Sequence, residues 1–145
     1  MAEIAFVVPG VPVGKGRPRA TKTRDGVRMY TPGKTVSYEA VVAYAGRQAM
    51  AGRNPEQGAL AVSLYILVPI PSSWSLAKQK RAAFGLIMPT TKPDIDNIEK
   101  AVFDALNGVC WRDDVQVTDV MKFKRYGYQP GVHVTIKTLE GAKAC

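Results

Sequence analysis

The chain has 145 residues, 46% of them apolar, with 20 basic and 12 acidic side chains for a net charge of +8, a composition that suits one globular domain with a single core. No stretch reaches the roughly 18 uninterrupted apolar residues of a membrane span, and the N-terminal run carries Glu3 without a basic region before it, so a membrane protein and a secretory leader are both disfavoured and a cytoplasmic protein is expected. Cys110 and Cys145 lie far apart without a CxxC pair and with only His133 to assist them, which argues against a zinc cluster or a disulfide framework and leaves a packing residue and a tail residue.

In chain order, Ile4 to Val8 predicts a buried strand ended by Pro9 and Gly10. A long basic loop, 14–34, follows, with Lys15, Arg17, Arg19, Lys22, Arg24, Arg28 and Lys34 against Asp25 alone; Arg28 to Tyr30 is a candidate short strand. The spacing of Val36, Ala40, Val41, Tyr44 and Ala45 predicts an amphipathic helix from Lys34 to about Arg53, weakened but not broken by Gly46. Leu60 to Pro69 alternates as a central strand, and Ser75 to Phe84 forms a short basic helix exposing Lys78, Lys80 and Arg81. A second principal helix runs from about Asn97 to Asn107, stopped by Gly108, and two closing strands, Val115 to Tyr126 and Val132 to Leu139, flank a Gln-Pro-Gly turn. This order predicts one α+β domain over residues 1–145, with two principal helices on a mixed sheet.

Charge is unevenly distributed. Between Asp94 and Asp119 seven acidic residues face only Lys100 and Arg112, a net of −5, whereas the rest of the chain has eighteen basic against five acidic residues, a net of +13. A negative island on a positive protein is what a divalent-metal site on a polyanion-binding surface requires, and the expected polyanion is nucleic acid. Asp94 and Asp96 stand two apart on a segment that Pro93 favours as extended, so both carboxylates can face one site while Ile95 turns inward. A twelve-residue helix is about 18 Å long and the six residues Val109 to Asp114 can span about 20 Å, so Asp114 can return beside the helix start. Three converging carboxylates repel unless a cation or a shared proton intervenes, and all-oxygen ligands suit Mg²⁺ or Mn²⁺ over zinc. Such a site hydrolyses phosphodiesters, with Lys100, one turn past Asp96, near the nucleophile or the phosphate.

Structural roles compete with these. Asp96 as an N-cap, Glu99 completing a capping box and Lys100 as an i,i+4 partner is a common helix start, and Asp113-Asp114 alone reads as an exposed turn. Asp104 and Asp119 fit a solvated helix position and the polar face of a strand. The basic loop can be a solvated loop, although its length inside a small domain argues for a task, and its cations suit phosphate contacts, with Tyr30 for stacking or a phosphate hydrogen bond. Gly10-Val-Pro-Val-Gly14-Lys15-Gly16 fails as a P-loop, because only three residues separate the first two glycines and Gly16 stands where Ser or Thr must bind magnesium; no nucleotide cofactor is expected. Adjacent Glu99 and Lys100 fit a restriction-type Asp/Glu-x-Lys site poorly, and a lone His133 in a closing strand does not support a histidine nuclease.

The run Lys92-Pro-Asp-Ile-Asp-Asn-Ile-Glu-Lys-Ala-Val-Phe-Asp-Ala-Leu-Asn-Gly108, continued by Trp111-Arg-Asp-Asp-Val-Gln-Val117, resembles the RusA family of Holliday junction resolvases of bacteria and their phages. Weaker similarity covers Lys15-Gly-Arg-Pro-Arg19, Tyr30-Thr-Pro32 and Tyr38-Glu39, in the manner of phage-borne members. The resemblance implies metal-binding carboxylates at Asp94, Asp96 and Asp114, a functional lysine at Lys100 and a possible further ligand at Asp113. It also implies Mg²⁺-dependent paired cuts at a four-way DNA junction by a homodimer, and symmetric cutting needs two sites where this chain has one acidic cluster. The competing expectations are a non-enzymatic nucleic-acid-binding module and a metal-dependent nuclease of flaps or single strands.

Overall fold

Residues 3–17, 19–30 and 32–139 are described by the computed structural model; Cys145 and the side chain of Arg19 lie outside the described residues. β1 (Glu3–Pro9) is followed by a hairpin of β2 (Arg19–Thr23) and β3 (Gly26–Tyr30), then α1 (Gly33–Met50), β4 (Leu60–Pro69), α2 (Leu76–Ala83), α3 (Ile95–Leu106), a 3₁₀ turn (Asp114–Gln116), β5 (Val117–Gly127) and β6 (Gly131–Thr138). The main sheet has the order β1-β6-β4-β5, with β4 and β5 parallel and the other pairs antiparallel. A parallel pair needs a long crossover, and the segment holding α2 and α3 supplies it. This is the expected α+β class with a mixed sheet. Among the described residues no helix is long and apolar enough to cross a membrane.

Alternation in β4 makes the core. Leu60, Val62, Leu64, Ile66 and Val68 are buried, while Ser63 and Tyr65 face the open side of the sheet. Val132, Val134 and Ile136 of β6 and Ile4 and Val8 of β1 continue this layer, and Ile98, Ala101, Val102 and Leu106 of α3 cover it. α1 packs on α3 at Gly46, where an added Cβ would meet Leu106 Cδ2 at 2.7 Å and Cys110 Sγ at 3.2 Å. The glycine that lowers helix propensity is therefore what lets the two helices approach. Cys110 is fully buried, as a packing residue should be, and burial pushes its thiol up to about 11 against the opposing charge of Arg53.

The structure corrects the basic loop. Its second half is a two-residue hairpin in which Thr23 pairs with Gly26 and Arg19 with Tyr30. Asp25-Gly26, with φ +133° at the glycine, is a hairpin-turn signal that was legible beside the charges. Two boundaries also move: α3 begins at Ile95 and α1 stops at Met50, where Ala51 takes a left-handed φ of 51° and donates its N–H to the Arg47 carbonyl.

Candidate metal and nucleic-acid site

α3 carries the acidic island, and its start is built by a capped turn. Asp94 is extended (φ −80°, ψ 161°) and is the N-cap, its Oδ1 accepting from the Asn97 N–H at 3.4 Å. Asp96 is thus inside the first turn, and the expected Asp96–Glu99 capping box is replaced by this cap. Asp96 is 86% exposed and accepts from Lys122 Nζ at 2.8 Å, while Glu99 lies 3.3 Å from the same ammonium. The hydrogen bond from Lys122, reinforced by its charge, holds the Asp96 carboxyl below the usual carboxylate range. Burial opposes charge on Lys122, but the bonds from Asp96 and Glu99 outweigh it and raise its pKa. Two residues on, Lys124 donates to the carbonyls of Thr91 at 2.8 Å and Pro93 at 2.9 Å, fixing the loop that enters the helix.

The other end of α3 is organised differently. Asp104 lies 3.2 Å from Lys15 Nζ, which also donates to Glu39 of α1 at 2.7 Å. Burial works against the Lys15 charge, yet the two carboxylates keep its pKa above the ordinary value. Asp113 caps the 3₁₀ turn by accepting from the Val115 N–H at 3.1 Å, with Gln116 completing the capping box. The side chain of Gln116 ties this turn to the carbonyls of Glu56 and Gly58, each at 3.0 Å. Asp114 faces Asp113, Asp104 and Asn107. Partial burial first, then the neighbouring Asp113 and Asp104 carboxylates, raise its pKa against a hydrogen bond from Asn107.

One chain therefore carries Asp94 as the N-cap and Asp96 in the first turn of α3, two residues apart, and leaves Asp114 near the other end, beside Asp104 and Asn107, about 15 Å along the axis at ~1.5 Å per residue. Chain length did permit the return, but the return segment is spent on a turn. The Gly108 N–H donates to the Trp111 carbonyl at 2.7 Å, Trp111 is fully buried with Nε1 on Asn107 Oδ1 at 2.7 Å, and its ring meets Phe103 edge-on at 5.3 Å. β5 starts only after this turn and runs back along α3, so Lys122 is what reaches the helix start. Among the described residues no three His, Cys, Asp or Glu side chains sit close enough to hold a metal ion. The donor chemistry at Asp94 and Asp96 nevertheless fits a hard cation: both offer exposed carboxylate oxygens, and an ammonium is already drawn to one of them.

Lys100 is exposed on α3 and, among the described residues, forms no ion pair; Asp96 pairs with Lys122 instead of this i,i+4 neighbour. Lys15 is structural, whereas Arg17, Lys22, Arg24, Arg28 and Tyr30 are exposed as a phosphate-binding role requires. Asp119 is exposed on β5 and His133 on β6, where the ring meets Tyr65 edge-on. Lys122 and Lys124 were missed. Their signal was basic residues at alternate positions of a strand, on the side facing the acidic helix start.

The model of the family described as Endodeoxyribonuclease RusA matches residues 9–137. A curated relative, the uncharacterized protein YqaN of Bacillus subtilis (strain 168), is 39% identical over 139 residues, which cover 92% of this chain and 95% of that protein. The chain belongs to the RusA endodeoxyribonuclease family.

Proposed function

We propose that this RusA-family member is a metal-dependent endonuclease that resolves four-way DNA junctions, two copies of the chain each cutting one strand. The observation that carries this is the Asp94–Asp96 pair: two exposed carboxylates at the start of α3, countered by one ammonium, in a chain of net charge +8. Asp94 and Asp96 would hold Mg²⁺, or Mn²⁺ in its place, with water and phosphate oxygens completing a coordination that one or two carboxylates commonly anchor. The ion when bound polarises a phosphoryl oxygen and acidifies a water. Capping does not compete with this role, because only Oδ1 of Asp94 accepts from Asn97. Lys100, exposed one turn along α3, offsets charge on the phosphate. Lys122 neutralises Asp96 until the cation arrives. Asp114 and Asp113 hold no ligand position in the same chain as this pair; they shape the far end of the acidic face. The exposed cations of the hairpin, Lys22, Arg24 and Arg28, grip the junction arms, and homodimerisation supplies the second active site that symmetric cutting needs.

The test is a labelled four-way junction incubated with the protein and Mg²⁺. Paired symmetric nicks are expected from the wild type, none in EDTA and none from Asp94→Asn or Asp96→Asn. Nicking in EDTA, or undiminished nicking by Asp94→Asn, would overturn the metal assignment. A parallel panel of flaps, duplexes and single strands separates junction selectivity from a nuclease acting on flaps or single strands.

A further inference from the structure

A groove of about 950 Å³ opens directly beside Asp94. One bank is the loop 12–17, the second the start of α1, and the third the loop 90–93 that enters α3. Its walls are locked before any ligand arrives. The Lys15 N–H donates to the Asn97 carbonyl at 2.9 Å, the Gly16 N–H to the buried Thr35 Oγ1 at 2.9 Å, and Lys124 holds the Thr91 and Pro93 carbonyls. The two glycines make this closeness possible: a Cβ on Gly14 would stand 3.1 Å from Asn97 and Pro93, and one on Gly16 2.8 Å from Pro32. The residues rejected as a P-loop thus have a structural task, which is to press the loop against both helix starts.

The groove is also charged in one sense. Among its described lining residues Asp94 is the only acid, while Arg17, Lys34 and Lys92 are exposed and free of ion pairs. The hydroxyls of Thr90 and Thr91 add neutral hydrogen-bonding groups. Three unpaired cations around a preformed, walled channel are the recognition chemistry of a sugar–phosphate backbone.

We infer that this groove holds the backbone of one DNA strand on Arg17, Lys34 and Lys92 and leads it to Asp94. The inference rests on the nuclease function proposed above, of which it names the strand-holding surface. It keeps Arg17 and Lys34 of the basic loop, adds Lys92 to the nucleic-acid contacts and removes Lys15, whose ammonium is committed to Glu39 and Asp104.

The experiment measures binding of a fluorescent oligo-dT strand and of an intact four-way junction in EDTA, so that no chemistry is required. The triple variant Arg17→Gln, Lys34→Gln, Lys92→Gln is compared with Lys78→Gln, Lys80→Gln, Arg81→Gln on α2, which removes the same charge elsewhere. Loss of three phosphate contacts lowers the slope of log K against log salt by about 2 and weakens single-strand binding about 100-fold at 0.1 M salt, at ~0.7 per contact. The α2 variant leaves both unchanged. Arg17→Lys, Lys34→Arg, Lys92→Arg restores the slope, which separates charge from folding. An unchanged oligo-dT slope in the groove variant, or an equal loss in the α2 variant, overturns the inference. If the groove variant loses binding but wild-type protein cuts no junction in Mg²⁺, the proposed function fails and the groove stands. Junction cleavage by wild type with unaltered binding by the groove variant gives the reverse.

Discussion

The two ends of α3 carry the same residue type under opposite conditions. At the start, Asp96 is almost fully exposed and meets the ammonium of Lys122, which favours its ionised form. At the end, Asp114 is partly withdrawn from water and faces two other carboxylates, which favours its protonated form. A carboxylate that is charged, exposed and opposed by a single lysine is poised to accept a cation. One that shares its space with other acids and is tied into a capped turn is held for shape. Sequence spacing treats the two ends as one cluster, and electrostatics separates them.

The largest effect that would break this comparison is on catalysis. Asp94→Asn and Asp96→Asn should each lower junction cleavage more than about 100-fold, since the loss of an outer-shell partner alone costs 10–100-fold. Asp114→Asn should lower it by less than about 10-fold, the bottom of that range. Single-turnover cleavage on one labelled junction measures all three. Equal losses at Asp94 and Asp114 would mean that the two ends act as one site, brought together by a second copy of the chain.

Stability changes probe the far end. Gly46→Val pushes a branched side chain into Leu106, Val109 and Cys110 and should cost about 1–3 kcal/mol in a urea melt, as overpacking does. Lys15→Met leaves Glu39 and Asp104 facing each other without their shared cation. That should cost about 1 kcal/mol, the upper range for ion pairs with some solvent access. A Lys15→Met protein as stable as wild type would remove Lys15 from its structural place and return it to the DNA-binding set.

How much of this was legible varies with the physics involved. β4, α2 and β6 could be read to within a residue or two, because alternation and capping are local signals that burial then reinforces. The hairpin was hidden by its own charge: seven cations in the loop drew attention from Asp25-Gly26, a turn signal that needs no tertiary partner. Asp94 and Asp96 were legible as neighbours through their spacing. The separation of Asp114 from them was not, since the reach of the chain sets only an upper bound, and what consumed the return was the burial of Trp111 and Cys110. Lys122 belongs to the same class of miss. Its contact with Asp96 spans 26 residues and depends on β5 running back along α3, a matter of topology that no local window contains.

The smallest effect is the sharpest in sign. Asp96 has a folded pKa below its unfolded value, so its contribution to stability is present above the ordinary carboxylate range and is lost as pH falls through the folded pKa. Asp114 has a folded pKa above its unfolded value, so its contribution is fully present at low pH and is lost as pH rises through that pKa. Relative to wild type in EDTA, Asp96→Asn should therefore lower the melting temperature slightly at pH 7 and lose this effect toward pH 3. Asp114→Asn should drift the opposite way, more favourable relative to wild type at pH 7 than at pH 3. Both shifts should amount to a few degrees at most, because both groups keep contact with solvent. What matters is the crossing of the two difference curves. Parallel curves would show that Asp114 has a cationic partner in solution, and the distinction between a cation-accepting end and a shape-holding end of α3 would fall.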